Sequence, residues 1–291
     1  MQHSVSALFF TALKYGLAQR SSLRRPFNRR CLTPVILFGL GLILTLCLAS
    51  QAFAFNIQLS PDRFGHLIQS DVPNCGAVAC GPTAAVNSFV FLENQYPSIY
   101  DHLLVPDTNG NRIVDYAEMV STASILSGPQ YMNTTFPSGT FSDRFISGQQ
   151  GWIETQAPGR TIYNQFNPNV PLLAAELTDH EDVELLIGFY NSQGSRTGGH
   201  YITVTGLSWT DANHNNIVDL SDAATIAFID PGNGSNTVSS LFQASPDALF
   251  QMGYGGGAKI EIGFSVSPIP EPSTWLLFVS GLFVLVSLKK R

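Results

Sequence analysis

The stretch Asp71-Val72-Pro73-Asn74-Cys75-Gly76-Ala77-Val78-Ala79-Cys80-Gly81-Pro82-Thr83-Ala84-Ala85-Val86-Asn87-Ser88-Phe89 decides how this 291-residue chain is read. Pro82 suits the first turn of a helix, where its missing N–H would go unpaired anyway. From Thr83 to about Asn94 the residues suit a helix, with Val86, Phe89 and Val90 forming an apolar stripe at helical spacing. Cys80 then sits at the positive end of that helix, where dipole and free backbone N–H groups favour a thiolate. A cysteine held so, with a histidine brought up from elsewhere, is the nucleophile half of a cysteine-peptidase site. Cys75 keeps a second reading open. After export processing it and Cys80 are the only cysteines left, and in an oxidising compartment the two can pair.

Upstream, the chain reads as an export leader. No acidic residue precedes Asp62, whereas Lys14, Arg20, Arg24, Arg25, Arg29 and Arg30 are basic. The apolar run Val35–Leu44 then leads to Ala52-Phe53-Ala54, a small-x-small site for signal peptidase. We therefore take residues 1–54 as a signal peptide with a long basic leader, cleaved after Ala54. The run is short for a retained anchor. Cys47 follows Leu46 rather than a small residue, which argues against a lipoprotein. From Phe55 to Ser267 there are 20 acidic and 6 basic side chains, a net charge of −14. So acidic a body lacks the basic footprint of nucleic-acid binding and suits divalent cations or an extracellular life.

Downstream of the cysteine helix, Tyr96-Pro97 is a natural stop. Asp107-Thr108-Asn109-Gly110-Asn111-Arg112-Ile113-Val114-Asp115-Tyr116-Ala117-Glu118 follows. It has the ligand spacing of an EF-hand calcium loop: Asp107, Asn109, Asn111, the Ile113 carbonyl, Asp115 and Glu118. A second copy spans Asp211 to Asp222, with Asp211, Asn213, Asn215, the Ile217 carbonyl, Asp219 and Asp222 as candidate ligands. Both resemble the loops of dockerin modules more than those of helix-loop-helix sensors. The glycine usual at position 6 is Arg112 in the first loop and Asn216 in the second. A hydrated polar turn is the alternative for each.

Helical patterning recurs over Asp115–Leu126, Phe141–Ile153 and Leu172–Leu177, with a short strand at Thr161–Tyr163. From Val183 the pattern turns to β: Val183–Tyr190, His200–Gly206, Ala224–Pro231 and Lys259–Val266 read as strands. The segment Asn191–Gly199 reads as a turn. An antiparallel hairpin from His200 out to the second loop and back to Asp230 brings an imidazole and a carboxylate side by side. Asp230 then orients one ring nitrogen and leaves the other for Cys80.

Three motifs in this order, Ala79–Ala85, Gly199–Gly206 and Ile229-Asp230-Pro231, resemble papain-like cysteine peptidases of the bacteriocin-leader-processing (double-glycine) type, in particular their secreted relatives. The likeness covers about residues 60–265. It implies an α+β fold in which an N-terminal helix carrying the cysteine packs on a C-terminal antiparallel sheet carrying the histidine and aspartate. By that resemblance Cys80 is the nucleophile, His200 the general base, Asp230 the orienting residue, and a peptide or protein the substrate. The glutamine that usually lies six residues before the nucleophile is replaced by Asn74, a shorter donor to the oxyanion.

The tail, Pro268-Ile269-Pro270-Glu271-Pro272, an apolar stretch from Trp275 to Leu288, and Lys289-Lys290-Arg291, closely resembles a PEP-CTERM sorting tag. That implies export through the inner membrane of a Gram-negative bacterium, transient anchoring by the C-terminal apolar helix and exosortase cleavage. Release to the cell surface or an exopolysaccharide matrix would follow. Domain organisation is then leader (1–54), peptidase-like body (55–267) and tag (268–291). A calcium-binding matrix protein on the same scaffold, without catalysis, is the competing expectation.

Overall fold

The computed structural model describes residues 54–268 except 160, 214, 216–217, 220 and 244–248, with the backbone alone for 161–166 and 268. Residues 1–53 of the leader and the tag beyond Pro268 lie outside the described residues. The fold is α+β. Five helices are described: α1 (Cys80–Gln95), α2 (Pro97–Tyr100), α3 (Tyr116–Ser127), α4 (Ser142–Gln156) and α5 (Val170–Thr178). They pack on an antiparallel sheet of β1 (Ala54–Gln58), β2 (Thr161–Phe166), β3 (Asp182–Tyr190), β4 (Arg196–Thr210), β5 (Thr225–Asp230), β6 (Ser235–Phe242), β7 (Gln251–Met252) and β8 (Ala258–Pro268).

The sheet runs β1-β4-β3-β8-β7-β6-β5, with β2 added on β8. Because β5 also pairs back on β4, the six strands β4-β3-β8-β7-β6-β5 close a ring. The register places Ile187 opposite His200 and Thr203 opposite Ile229, so the start of β4 meets the end of β5. β4 is longer than its apolar pattern suggests. Gly198 and Gly199 pair with Phe189 and Gly188, and the turn shrinks to residues 191–195, where Asn191 Oδ1 accepts the N–H groups of Gln193 and Ser195.

Helix α1 is the centre of the molecule: every residue from Cys80 to Glu93 is buried. A helix covered on all sides cannot be amphipathic, and its polar side chains need internal partners. Asn87 Oδ1 accepts the Leu67 N–H at 2.9 Å, and Glu93 Oε1 accepts those of Leu104 and Val105, each at 2.8 Å. The helix starts at Cys80, three residues before the expected Thr83. Pro82 is tolerated there because the first four helical N–H groups have no partner within the helix. On the sheet side, Phe145 of α4 stacks on Tyr201 of β4 with centroids 4.3 Å apart, and packs on Phe264 of β8. β1 opens on Ala54, so the expected cleavage after that residue would take only the exposed first residue from the strand.

Candidate active site

Cys80 opens α1, and its neighbour Gly81 lies against Thr140 so closely that an added Cβ would sit 2.9 Å from Thr140 Oγ1. Only glycine lets the 134–141 segment approach the helix start in this way. That segment forms one wall of a cavity of about 470 Å³. Cys80, Gln69, Val78 and Phe141 line it from the helical side; His200, Gly199 and Glu261 line it from the sheet.

The structure brings Cys80, His200 and Asp230 together. His200 Nε2 lies 2.9 Å from Asp230 Oδ1, and the imidazole lines the same cavity as Cys80 and interacts with its side chain. With Nε2 on Asp230, the nitrogen left for the sulfur is Nδ1. Both members of the His–Asp pair are largely buried, the side chains being 12% and 7% exposed. Burial is the largest influence on His200 and works against its charged form. Its interactions with Asp230 and Cys80 outweigh it and lift the imidazole to about 9. Burial likewise pushes the Asp230 carboxyl up, but His200, the Tyr254 hydroxyl and the Gly232 N–H together hold it below the usual range.

Asn74 stands apart from this group. It is exposed, adopts φ 69° in a turn and does not line the cavity. Gln69 is the amide that lines the cavity together with Cys80. It lies eleven residues before the cysteine, on the 3₁₀ turn Gln69–Asp71, and a further 3₁₀ turn at Gly76–Val78 takes up the extra chain. The Gln69 backbone N–H donates to Pro231 O at 2.8 Å, which ties this arm to the end of β5. Its Nε2 meets Ala77 O only at 3.4 Å, so the second amide hydrogen remains for the cavity. Tyr116 supports the arm from outside. Its hydroxyl accepts the Ile68 N–H at 3.2 Å and donates to Asp71 Oδ2 at 2.6 Å. Cys75 is a free thiol buried in the core, and Cys80 is also free. Tyr254, which sequence patterning passes over, donates to Asp230 Oδ2 at 2.7 Å; its one mark in the sequence is its place inside Gly253-Tyr254-Gly255-Gly256-Gly257.

The two acidic loops share one hydrogen-bond pattern although one precedes a helix and the other joins two strands. In the first, Asn109 and Asn111 each direct Nδ2 at Asp115 Oδ2, at 2.7 and 3.0 Å. In the second, Asn213 and Asn215 do the same to Asp219 Oδ2, both at 2.8 Å. Asn111 N–H donates to Asp107 Oδ1, and Asn215 N–H to Asp211 Oδ1, each at 3.2 Å. Glu118 accepts from the N–H groups of Thr108 and Asp115, as Asp222 does from those of Ala212 and Asp219. Arg112 adopts φ 61°, the left-handed conformation that position 6 demands. Its N–H is the foremost of several that hold the Asp107 carboxyl below its usual range. Ser221, Asn213 and Asn215 do this for Asp219. Ile217, the remaining expected ligand, lies outside the described residues. Among the described residues no group of three or more His, Cys, Asp or Glu is placed to hold a metal ion. Binding in these loops would therefore need the asparagine oxygens.

Comparison with known proteins adds one address. Residues 268–291 match the PEP-CTERM protein-sorting motif, starting on the last residue of β8. The motif implies an exported, exosortase-sorted cell-surface protein. No curated protein matches the chain. Among the described residues no helix is long and apolar enough to cross a membrane; the apolar stretch of the tag lies outside them.

Proposed function

We propose that the body of this protein is a papain-like thiol hydrolase that cleaves peptide bonds after export. The observation that carries the reading is the placing of Cys80 and His200 on one cavity, with His200 hydrogen bonded to Asp230 behind it. Cys80 passes its thiol proton to His200 Nδ1 and attacks the peptide carbonyl, forming the carbon–sulfur bond. The oxyanion is held by the Cys80 backbone N–H at the start of α1 and by Gln69 Nε2, in place of Asn74. His200 then gives its proton to the leaving amine as the C–N bond breaks. Water, deprotonated by the same imidazole, hydrolyses the thioester and restores the thiol. Asp230 keeps the ring in the one orientation that serves both partners.

The 107–118 and 211–222 loops would bind calcium through Asp107, Asn109, Asn111, Asp115 and Glu118, and through Asp211, Asn213, Asn215, Asp219 and Asp222, with the Ile113 and Ile217 carbonyls. Two amide donors converging on one carboxylate oxygen in each loop mark a place where positive charge is wanted. A bound ion would cross-link each loop and supply no chemistry to the reaction. The tail would hold the chain in the inner membrane of a Gram-negative cell until exosortase cleaves it, releasing the body to the surface or an exopolysaccharide matrix.

Native alkylation with iodoacetamide, followed by activity assay on casein and a peptide library, tests the reading. Cys80 should alkylate well ahead of Cys75, and Cys80→Ala should abolish hydrolysis. Full thiol-dependent hydrolysis by Cys80→Ala overturns it, and an inert Cys80 favours the matrix protein without catalysis.

A further inference from the structure

We infer that Tyr254 is a positioning residue for the catalytic pair, clamping the Asp230 carboxylate so that Oδ1 faces His200. The inference rests on the catalytic reading of Cys80, His200 and Asp230. Asp230 Oδ1 takes two bonds, from His200 Nε2 at 2.9 Å and from the Gly232 N–H at 2.8 Å. Oδ2 takes the Tyr254 hydroxyl at 2.7 Å. A carboxylate held through one oxygen can swing about its Cβ–Cγ bond; held through both, it has one orientation.

The phenol is delivered by a turn built for it. The Tyr254 N–H donates to Ser239 Oγ at 2.9 Å, and the Gly253 N–H to Ser240 O at 3.1 Å, fixing the turn to β6. Gly255, Gly256 and Gly257 all adopt positive φ. A Cβ on Gly255 would come within 2.5 Å of Phe189, so the chain reverses tightly enough to aim the ring back at β5. The ring meets Phe228 edge-on at 5.3 Å and lies nearly parallel to the His200 ring, 6.3 Å away. Burial and the neighbouring Asp230 push the phenol above its ordinary range, so it stays a donor wherever the pair works. The titratable groups that touch Asp230 are His200 from β4 and Tyr254 itself, with Cys80 beyond the imidazole.

Tyr254→Phe keeps the ring and its packing and removes one hydrogen bond. In the full chain, carbon-13 carboxyl NMR should show the Asp230 titration rising by about one pH unit, a tenfold change in its proton affinity. Turnover should fall about tenfold with KM unchanged, and circular dichroism should match the parent. An Asp230 titration within about 0.2 units of the parent, or an unchanged kcat, overturns the assignment. The carboxyl titration is read equally well in Cys80→Ser. Absence of hydrolase activity therefore sinks the catalytic reading without deciding the clamp, whereas a flat titration in an active enzyme sinks the clamp alone.

Discussion

Replacing Glu184 by glutamine should make the protein more stable in mild alkali, and the structure sets the size of the effect. Glu184 and Asp182 are fully buried on β3, beneath α1 and α4. Glu184 Oε1 accepts Gln149 Nε2 at 2.7 Å and Asp182 Oδ1 accepts the Val266 N–H at 2.7 Å, while Glu184 Oε2, Asp182 Oδ2 and the Ser88 hydroxyl of α1 are buried without a hydrogen-bond partner. Among the described residues no cation is paired with this cluster. Burial pushes Glu184 to about 8 against the pull of Gln149. Burial, then the charge of Glu184, pushes Asp182 well above its ordinary value. The folded protein therefore keeps a proton on Glu184 that the unfolded chain gives up near 4.5.

For a carboxyl raised on folding, the native state binds more protons than the unfolded one, so stability falls as pH climbs from the unfolded to the folded value. At about 1.36 kcal/mol per pH unit, Glu184 alone costs about 4 kcal/mol between pH 5 and pH 8. That is a large share of the 5–15 kcal/mol that about defines a domain's total stability. Glutamine has the same shape, still accepts from Gln149 through its carbonyl oxygen, and carries no charge at any pH. Urea unfolding at pH 5 and pH 8 measures the difference. The parent should lose several kcal/mol over this interval, and Glu184→Gln should lose about 2–4 kcal/mol less. Equal losses in the two proteins would refute a neutral Glu184 in the folded state.

Asp230→Asn should lower the His200 titration from about 9 by at least about one unit. The alkaline limb of kcat/KM should move with it, because the imidazolium that protonates the leaving amine is then lost at lower pH. In the parent, the stability that charging His200 contributes is complete below about 6.5 and is lost as pH rises through about 9, which proton NMR and thermal melts can follow together. Gln69→Ala should cut kcat by about 10²–10³ while Asn74→Gly stays within about twofold, measured by single-turnover hydrolysis; the reverse order would return the oxyanion role to Asn74. Calorimetric titration of chelator-treated protein with calcium should find two sites, with Asp115→Ala and Asp219→Ala each removing one. Saturating calcium should raise the melting temperature, and a titration without heat or thermal shift would leave both loops as hydrated turns.

What could be read along the chain depended on how local its cause is. α1, β3 and β5 announce themselves because burial and periodicity act within a dozen residues. β6, Ser235–Phe242, does not: Asn236 and Ser240 are exposed, exposed Val238 breaks the apolar alternation, and only pairing with Thr225–Asp230 makes it a strand. β1 owes its place to β4, about 150 residues away. The site divides in the same way. Cys80, His200 and Asp230 carry local marks, a helix start, a glycine turn and a strand end. Gln69 was displaced from the expected spacing by the inserted 76–78 turn, and Tyr254 reaches Asp230 across a ring closure that no window of sequence contains. Glu184 falls in the stretch Val183–Tyr190 that reads as a strand, but that it and Asp182 are buried together shows only once β8 and α4 close over them.

The position of the two acidic loops explains how distant segments hold a site they never touch. β4 runs ten residues from His200 to Thr210 before the second loop, about 33 Å at strand rise, and β5 returns from Thr225 to Asp230. Whatever the 211–222 loop does, it acts through register. A slip of one residue in the β4–β5 pairing would turn either His200 or Asp230 to the opposite face, and the bulge between Val204 and Gly206 already shows that this pairing is not uniform. Loop closure at one end of the hairpin and Tyr254 at the other therefore fix the same variable. The 107–118 loop works on the opposite wall. Tyr116, its tenth residue, grips Ile68 and Asp71 on either side of Gln69, so the order of that loop is passed to the amide beside Cys80. The helix tip needs no such support, since α1 is enclosed along its length. The cavity is thus built from one rigid member and two adjustable ones, each adjustable member secured at a loop of the same construction.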